Sequence, residues 1–149
     1  MYNTILVPLD GSKRAEAILP HVEELAHRYK SKIIFIQVVE LYKAQAGSEF
    51  YNYDLFQEVS ILAVKEAESY LNGLKGEFKK KGVAASSRVV EGAVAEAIID
   101  AAEREEADII AIASHGRSGL SRAFYGSVAA GILHSIDRPL LVIRSHGDN

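Results

Sequence analysis

Residues 113–128 read Ala113-Ser114-His115-Gly116-Arg117-Ser118-Gly119-Leu120-Ser121-Arg122-Ala123-Phe124-Tyr125-Gly126-Ser127-Val128. The stretch is rich in glycine and serine, carries His115, Arg117 and Arg122, and holds no acidic side chain. Those residue types suit an anion. Glycine lets the main chain approach phosphate oxygens closely. Arginine adds charge-assisted hydrogen bonds. Gly126-Ser127 stands at the start of a helical pattern, where unpaired N–H groups and the helix dipole attract negative charge. The Ser127 hydroxyl can cap that helix or donate to a phosphate. The stretch is neither a Walker P-loop, because the glycine-lysine-serine ending is absent, nor the dinucleotide fingerprint, which belongs after a first strand. An ordinary loop followed by a capped helix accounts for the same residues on local physics alone.

His115 has the chemistry to touch phosphate or act as a general acid. No nucleophile or orienting acid stands beside it in sequence, and His21, His27, His134 and His146 lack metal-ligand spacing. The sequence therefore names no catalytic residue and no metal ligand.

The elements that must hold this loop follow from periodicity. Five runs rich in aliphatic and β-branched residues read as strands: Thr4–Leu9, Lys32–Val39, Ala85–Val90, Asp108–Ala113 and Leu140–Ile143. Ile5-Leu6-Val7, Ile33-Ile34-Phe35-Ile36 and Ile109-Ile110-Ala111-Ile112 are continuously apolar, the pattern of strands buried on both faces. Between them, apolar residues recur at helical spacing: Ala15, Ile18, Val22, Leu25, Ala26, Tyr29; Ala63, Ala67, Tyr70, Leu71, Leu74, Phe78; Val94, Ile98, Ala101, Ala102; and Val128, Ile132, Ile136. Pro20 predicts a kink or a restart in the first helix, Gly82 closes the second, and Pro139 precedes the last strand.

The alternation predicts one α/β domain over residues 1–149, an open five-stranded parallel sheet with helices on both faces, Rossmann-like in kind. Such sheets bind ligands at the carboxyl ends of strands, where strand order reverses. That rule points to the residues after Leu9, Val39 and Ala113. Glu40–Asn52 is the one long irregular stretch and contains Tyr42, Phe50 and Tyr51.

Composition narrows the function classes. The 149 residues carry a net charge of −3 and no cysteine. Disulfides and thiolate metal sites are thereby excluded, and a nucleic-acid footprint is not expected. No apolar run approaches the roughly 20 residues of a membrane span. The N-terminus reads as a strand and not as a signal peptide, so the expected location is the cytoplasm.

The chain resembles the universal stress protein family over nearly its full length. The resemblance rests on Ile5-Leu6-Val7-Pro8-Leu9-Asp10-Gly11-Ser12, Gln37-Val38-Val39, Gly92-Ala93-Val94-Ala95-Glu96-Ala97-Ile98 and the loop itself. The ATP-binding branch of that family carries glycine, two residues, glycine, nine residues, glycine, then serine or threonine. Gly116, Gly126 and Ser127 match, and the gap Arg117–Tyr125 has the right length, while the first position is Ala113 in place of glycine. The resemblance implies the adenine-nucleotide α-hydrolase-like version of the fold. It places Pro8 and Asp10 beside adenosine, with Asp10 accepting from ribose hydroxyls or the adenine amino group. Val38 would offer its main chain to the adenine edge, and Ala113, Gly116, Arg117, Gly126, Ser127 and Val128 would surround ribose and phosphates. ATP, with Mg²⁺ on its phosphates, or another adenine nucleotide is the implied ligand. A homodimer through strand 140–143 and a stress-response role are implied too, with at most slow ATP hydrolysis. A dimeric interaction module without nucleotide, and a true nucleotide hydrolase, are the rival readings.

Overall fold

The computed structural model describes residues 1–40, 53–114 and 127–145. Strand β1 (Thr4–Pro8) leads through a short 3-10 helix (Ala15–Ile18) into α1 (Leu19–Tyr29). Then come β2 (Lys32–Val39), α2 (Tyr53–Lys80), β3 (Ala84–Glu91), α3 (Val94–Arg104), β4 (Ile109–Ala113), α4 (Ser127–Ser135) and β5 (Leu140–Ile143). The five strands form one sheet in the order β3-β2-β1-β4-β5, and every pairing is parallel.

Side-chain alternation divides the core into two layers. Ile5 and Val7 of β1, Leu9 just after it, and Phe35 of β2 face Val22 and Ala26 of α1 and Leu71, Leu74 and Phe78 of α2. Leu6, Ile34, Ile36 and Ile110 face the other way, against Ile98 and Ala102 of α3 and Ile132 of α4. Burial on both faces is why the central strands are written as unbroken apolar runs.

The Pro20 expectation is met by a restart. The 3-10 helix ends at Ile18 and α1 begins at Leu19, which puts Pro20 in the first turn, where its missing N–H has no intrahelical partner to lose. Three helices share one ending. At α2, Val83 N–H donates to Phe78 O at 3.0 Å and Gly82 N–H to Lys79 O at 3.0 Å, with Gly82 at φ +81°. At α1 and α3 the equivalent bonds are Ser31 N–H to Ala26 O at 3.0 Å and Ala107 N–H to Ala102 O at 2.9 Å. There the left-handed residues are Lys30 and Glu106, at φ 55° and 52°. Among the described residues no helix is long and apolar enough to cross a membrane.

Candidate functional site

The ladder between β1 and β4 is short. It comprises Ile5↔Ile109 and Leu6↔Ile110, although β1 continues to Pro8 and β4 to Ala113. In a parallel ladder the N–H and C=O of one residue point to the same neighbour and alternate along the strand. Leu9 N–H donates to Ile36 O at 2.8 Å, and Asp108 N–H donates to Thr4 O at 2.9 Å. The odd residues of β1 therefore face β2 and the even ones face β4. Pro8 is an even residue, so the position without a donor is aimed at β4, just where the ladder has stopped. On β4, Ile110 N–H donates to Pro139 O at 3.1 Å and Ser114 N–H to Ile143 O at 2.8 Å. The main chain of Ala113 consequently faces β1. Pro8 and Ala113 flank a seam at the carboxyl end of the sheet, at the point where strand order reverses.

A third edge opens onto the same end. β2 pairs with β1 only as far as Ile36, but with β3 as far as Val39. Ile36 O faces β1, so Val38, two residues on, turns its N–H and C=O to that side too, beyond the end of β1. The side chain of Val38 meanwhile packs against the α3 layer. Core packing and a presented main-chain edge thus coexist in one residue.

Asp10 follows β1 in a tight turn. Its Oδ1 accepts the Ser12 N–H at 2.9 Å and the Ser12 hydroxyl at 2.5 Å. Gly11 sits at φ 86°, a conformation glycine takes without strain. Ser12 Oγ in turn accepts the Ala15 N–H at 3.2 Å, at the start of the 3-10 helix. The carboxylate is thereby oriented by its own turn and partly exposed at the rim of the seam.

Ala113 is 8% exposed and belongs to the layer of Ile5, Val7 and Leu9. Its methyl group is absorbed by that core, which gives the departure from glycine a place to go. Ser114 is 6% exposed, and its Oγ is buried without a hydrogen-bond partner among the described residues. Ser127 and Val128 open α4, Ser127 exposed and Val128 against the α3 layer. Gly116, Arg117 and Gly126 lie outside the described residues, as do His115 and the stretch 41–52. The structure thus brings Pro8, Asp10, Val38 and Ala113 to one end of the sheet.

Two contributors were visible in the sequence only in other settings, Tyr70 in a helical stripe and Ser12 beside Asp10. Tyr70 of α2 donates its hydroxyl to Glu16 Oε2 at 2.6 Å, 54 residues away along the chain. Burial first, and then the Glu16 carboxylate, hold the Tyr70 phenol well above the ordinary tyrosine range. Ser12 was legible only as a residue beside Asp10, though a hydroxyl two places after an aspartate is a recognisable turn signature. Among the described residues no group of three or more His, Asp or Glu side chains is placed to hold a metal ion.

Comparison with known proteins bears on the family and the fold. Universal stress protein MJ0577 of Methanocaldococcus jannaschii is 28% identical over 155 residues, which cover 97% of this chain and 96% of that protein. A solved structure of the hypothetical protein MJ0577, the subject of a structure-based assignment of biochemical function, superposes with a TM-score of 0.86 at 28% identity, covering 99% of both chains. A universal stress protein in complex with cAMP superposes with a TM-score of 0.63 at 20% identity, covering 97% of this chain and 98% of the other. A family member from Arabidopsis thaliana with AMP bound does so at 0.69 and 16%, covering 98% and 94%. The last two establish likeness of fold alone. The profile of the universal stress protein family matches residues 1–144, and the chain belongs to that family.

Proposed function

We propose that this universal stress protein binds an adenine nucleotide, ATP in the first instance, across the seam at the carboxyl ends of β1 and β4. The observation that carries the reading is the convergence on one place of main-chain edges that run beyond their ladders: the Val38 edge, the Ala113 edge and the donorless Pro8, with the Asp10 carboxylate at the rim. Val38 is suited to read the adenine edge, and Asp10 to accept from ribose hydroxyls or the adenine amino group. The loop from Gly116 to Gly126, with Arg117, Ser127 and Val128, is assigned to ribose and phosphates on its composition. Mg²⁺ would arrive on the triphosphate, whose oxygens supply its hard ligands. Cyclic AMP and AMP in two proteins of the same fold support adenosine as the shared element.

Isothermal titration of nucleotide-stripped protein with ATP and Mg²⁺, beside a Gly116→Asp variant, tests the reading. Binding by the wild type and none by the variant is expected, because the new carboxylate would stand where phosphate should lie. No binding of ATP, ADP, AMP or cyclic AMP by the wild type would refute it and favour an interaction module on the same fold.

The same proposal includes a homodimer through β5. That strand is an edge of the sheet, apolar throughout, with Val142 42% exposed. Uncovered edges of this kind invite pairing. Sedimentation should show a dimer that Val142→Lys converts to monomer; a wild-type monomer at micromolar concentration would remove this part.

A further inference from the structure

The 3-10 helix that follows the Asp10 turn is poorly able to hold itself. It has four residues, and Arg14 at its N-terminus provides no side-chain cap. Short 3-10 segments have weak hydrogen-bond geometry and rely on outside anchors. Two anchors are internal to the turn: Ser12 Oγ takes the Ala15 N–H, and Ala15 and Ile18 are buried. The third comes from the far side of the layer. Glu16, the next residue, accepts the Tyr70 hydroxyl at 2.6 Å. Tyr70 is held by its own helix, whose Leu71 and Leu74 are 0% and 7% exposed. Lys13 Nζ also reaches Glu16, at 3.6 Å, but the lysine side chain is 88% exposed, so water and salt screen that pair.

Two hydrogen-bonded stretches, joined by the main chain between Glu16 and Ala15, therefore lead from α2 to the site: Tyr70 hydroxyl to Glu16 carboxylate, then Ala15 N–H to Ser12 hydroxyl to Asp10 carboxylate. We infer that Tyr70 and Glu16 are positioning residues for Asp10, fixing the turn that aims its carboxylate at the nucleotide without touching the ligand themselves. The inference rests on the nucleotide reading for its functional part. Buried and bonded to a carboxylate, the phenol keeps its proton at every physiological pH, so the anchor is permanent and not a switch.

The test compares wild type with Tyr70→Phe, Glu16→Leu and Glu16→Gln by titration with ATP and Mg²⁺. Tyr70→Phe and Glu16→Leu each should weaken binding by about threefold to tenfold, the scale of one net hydrogen bond, at unchanged stoichiometry. Glu16→Gln keeps an acceptor oxygen and should stay within about twofold of wild type. Tyr70→Phe removes only the hydroxyl that donates to Glu16 and keeps the ring, so its loss reads the bond and not the packing. Wild-type affinity in Tyr70→Phe, or equal losses in Glu16→Gln and Glu16→Leu, would overturn the inference while leaving the nucleotide site standing. Should the wild type bind no nucleotide, the function proposal fails separately. Amide exchange then decides the positioning part: Ser12 and Ala15 should exchange faster in Tyr70→Phe than in wild type, and unchanged rates would overturn it.

Discussion

Gly73, Gly76 and Gly82 offer one chemical change with two opposite signs. A Cβ built on any of the three meets nothing within 4 Å, so packing does not distinguish them. Backbone conformation does. Gly73 and Gly76 lie inside the 28-residue α2, while Gly82 closes it at φ +81°. In a helix interior, replacing glycine by alanine removes backbone freedom from the unfolded chain and stabilises by about 0.4–1 kcal/mol per site. In the left-handed region the methyl group meets the following carbonyl, at a cost of about 1–2 kcal/mol. The pair Gly73→Ala with Gly76→Ala should therefore gain about 1–2 kcal/mol. For a chain of this size each kcal/mol moves the melting temperature by roughly 2–4 °C, so the pair should melt about 2–8 °C higher. Gly82→Ala should melt lower by a comparable amount. Calorimetry and urea titration of the three single variants and of the α2 double variant give the comparison, with the urea slope checking that the unfolding transition is unchanged. A shift of the same sign in all three would refute the reasoning. A loss at Gly73 or Gly76 would refute it equally, since a Cβ at either meets nothing within 4 Å.

The same argument runs in reverse at the ends of α1 and α3. Lys30→Gly and Glu106→Gly relieve left-handed side-chain-bearing residues and should each raise the melting temperature, corresponding to about 1 kcal/mol at each site. Tyr70 gives an alkaline signature. Its folded-state proton affinity is raised above the ordinary value of 10.0, so above that pH the unfolded chain loses a proton that the folded one keeps, and stability falls as pH rises. Tyr70→Phe should make that decline shallower in denaturant titrations at pH 9–11, and an unchanged slope would count against the burial of the phenol. Gly131→Leu should disrupt the α3–α4 contact, since even a Cβ at this position lies 3.1 Å from Ala95 Cβ. A loss of about 1–3 kcal/mol is expected by urea titration.

The strands were readable because burial on both faces leaves no room for polar residues. Ile33–Ile36 and Ile109–Ile112 carry that imprint, and the expected and observed bounds of β2 and β5 coincide. Elsewhere the ladder, not the apolarity, decides the end. Leu9 is core yet lies past β1, and Asp108 precedes β4, where its carboxylate accepts the Thr4 N–H at 2.8 Å. The first turns of α2 were hidden for a different reason. Leu55, Val59, Ile61 and Leu62 are each more than half exposed, so they form no single inward stripe to recognise. At the site, Pro8, Asp10, Val38 and Ala113 were nameable from motif and strand position. The Tyr70–Glu16 bond was not, because contacts between residues 54 positions apart depend on how helices dock and leave no local spacing behind.

The short ladder at the seam has a kinetic side. β2 and β3 are zipped through eight residue pairs, and β1 joins β2 through five, all within the first part of the chain. The β1–β4 junction has two pairs and brings together residues such as Thr4 and Asp108, 104 positions apart. Long loops close late, since few contacts reward the entropy they cost. The helices do not divide along that seam, because Ile98 and Ala102 of α3 and Ile132 of α4 pack against Leu6, Ile34 and Ile36 of β1 and β2. The cleft is thus held shut from one face of the sheet by helices and not by its own strand ladder.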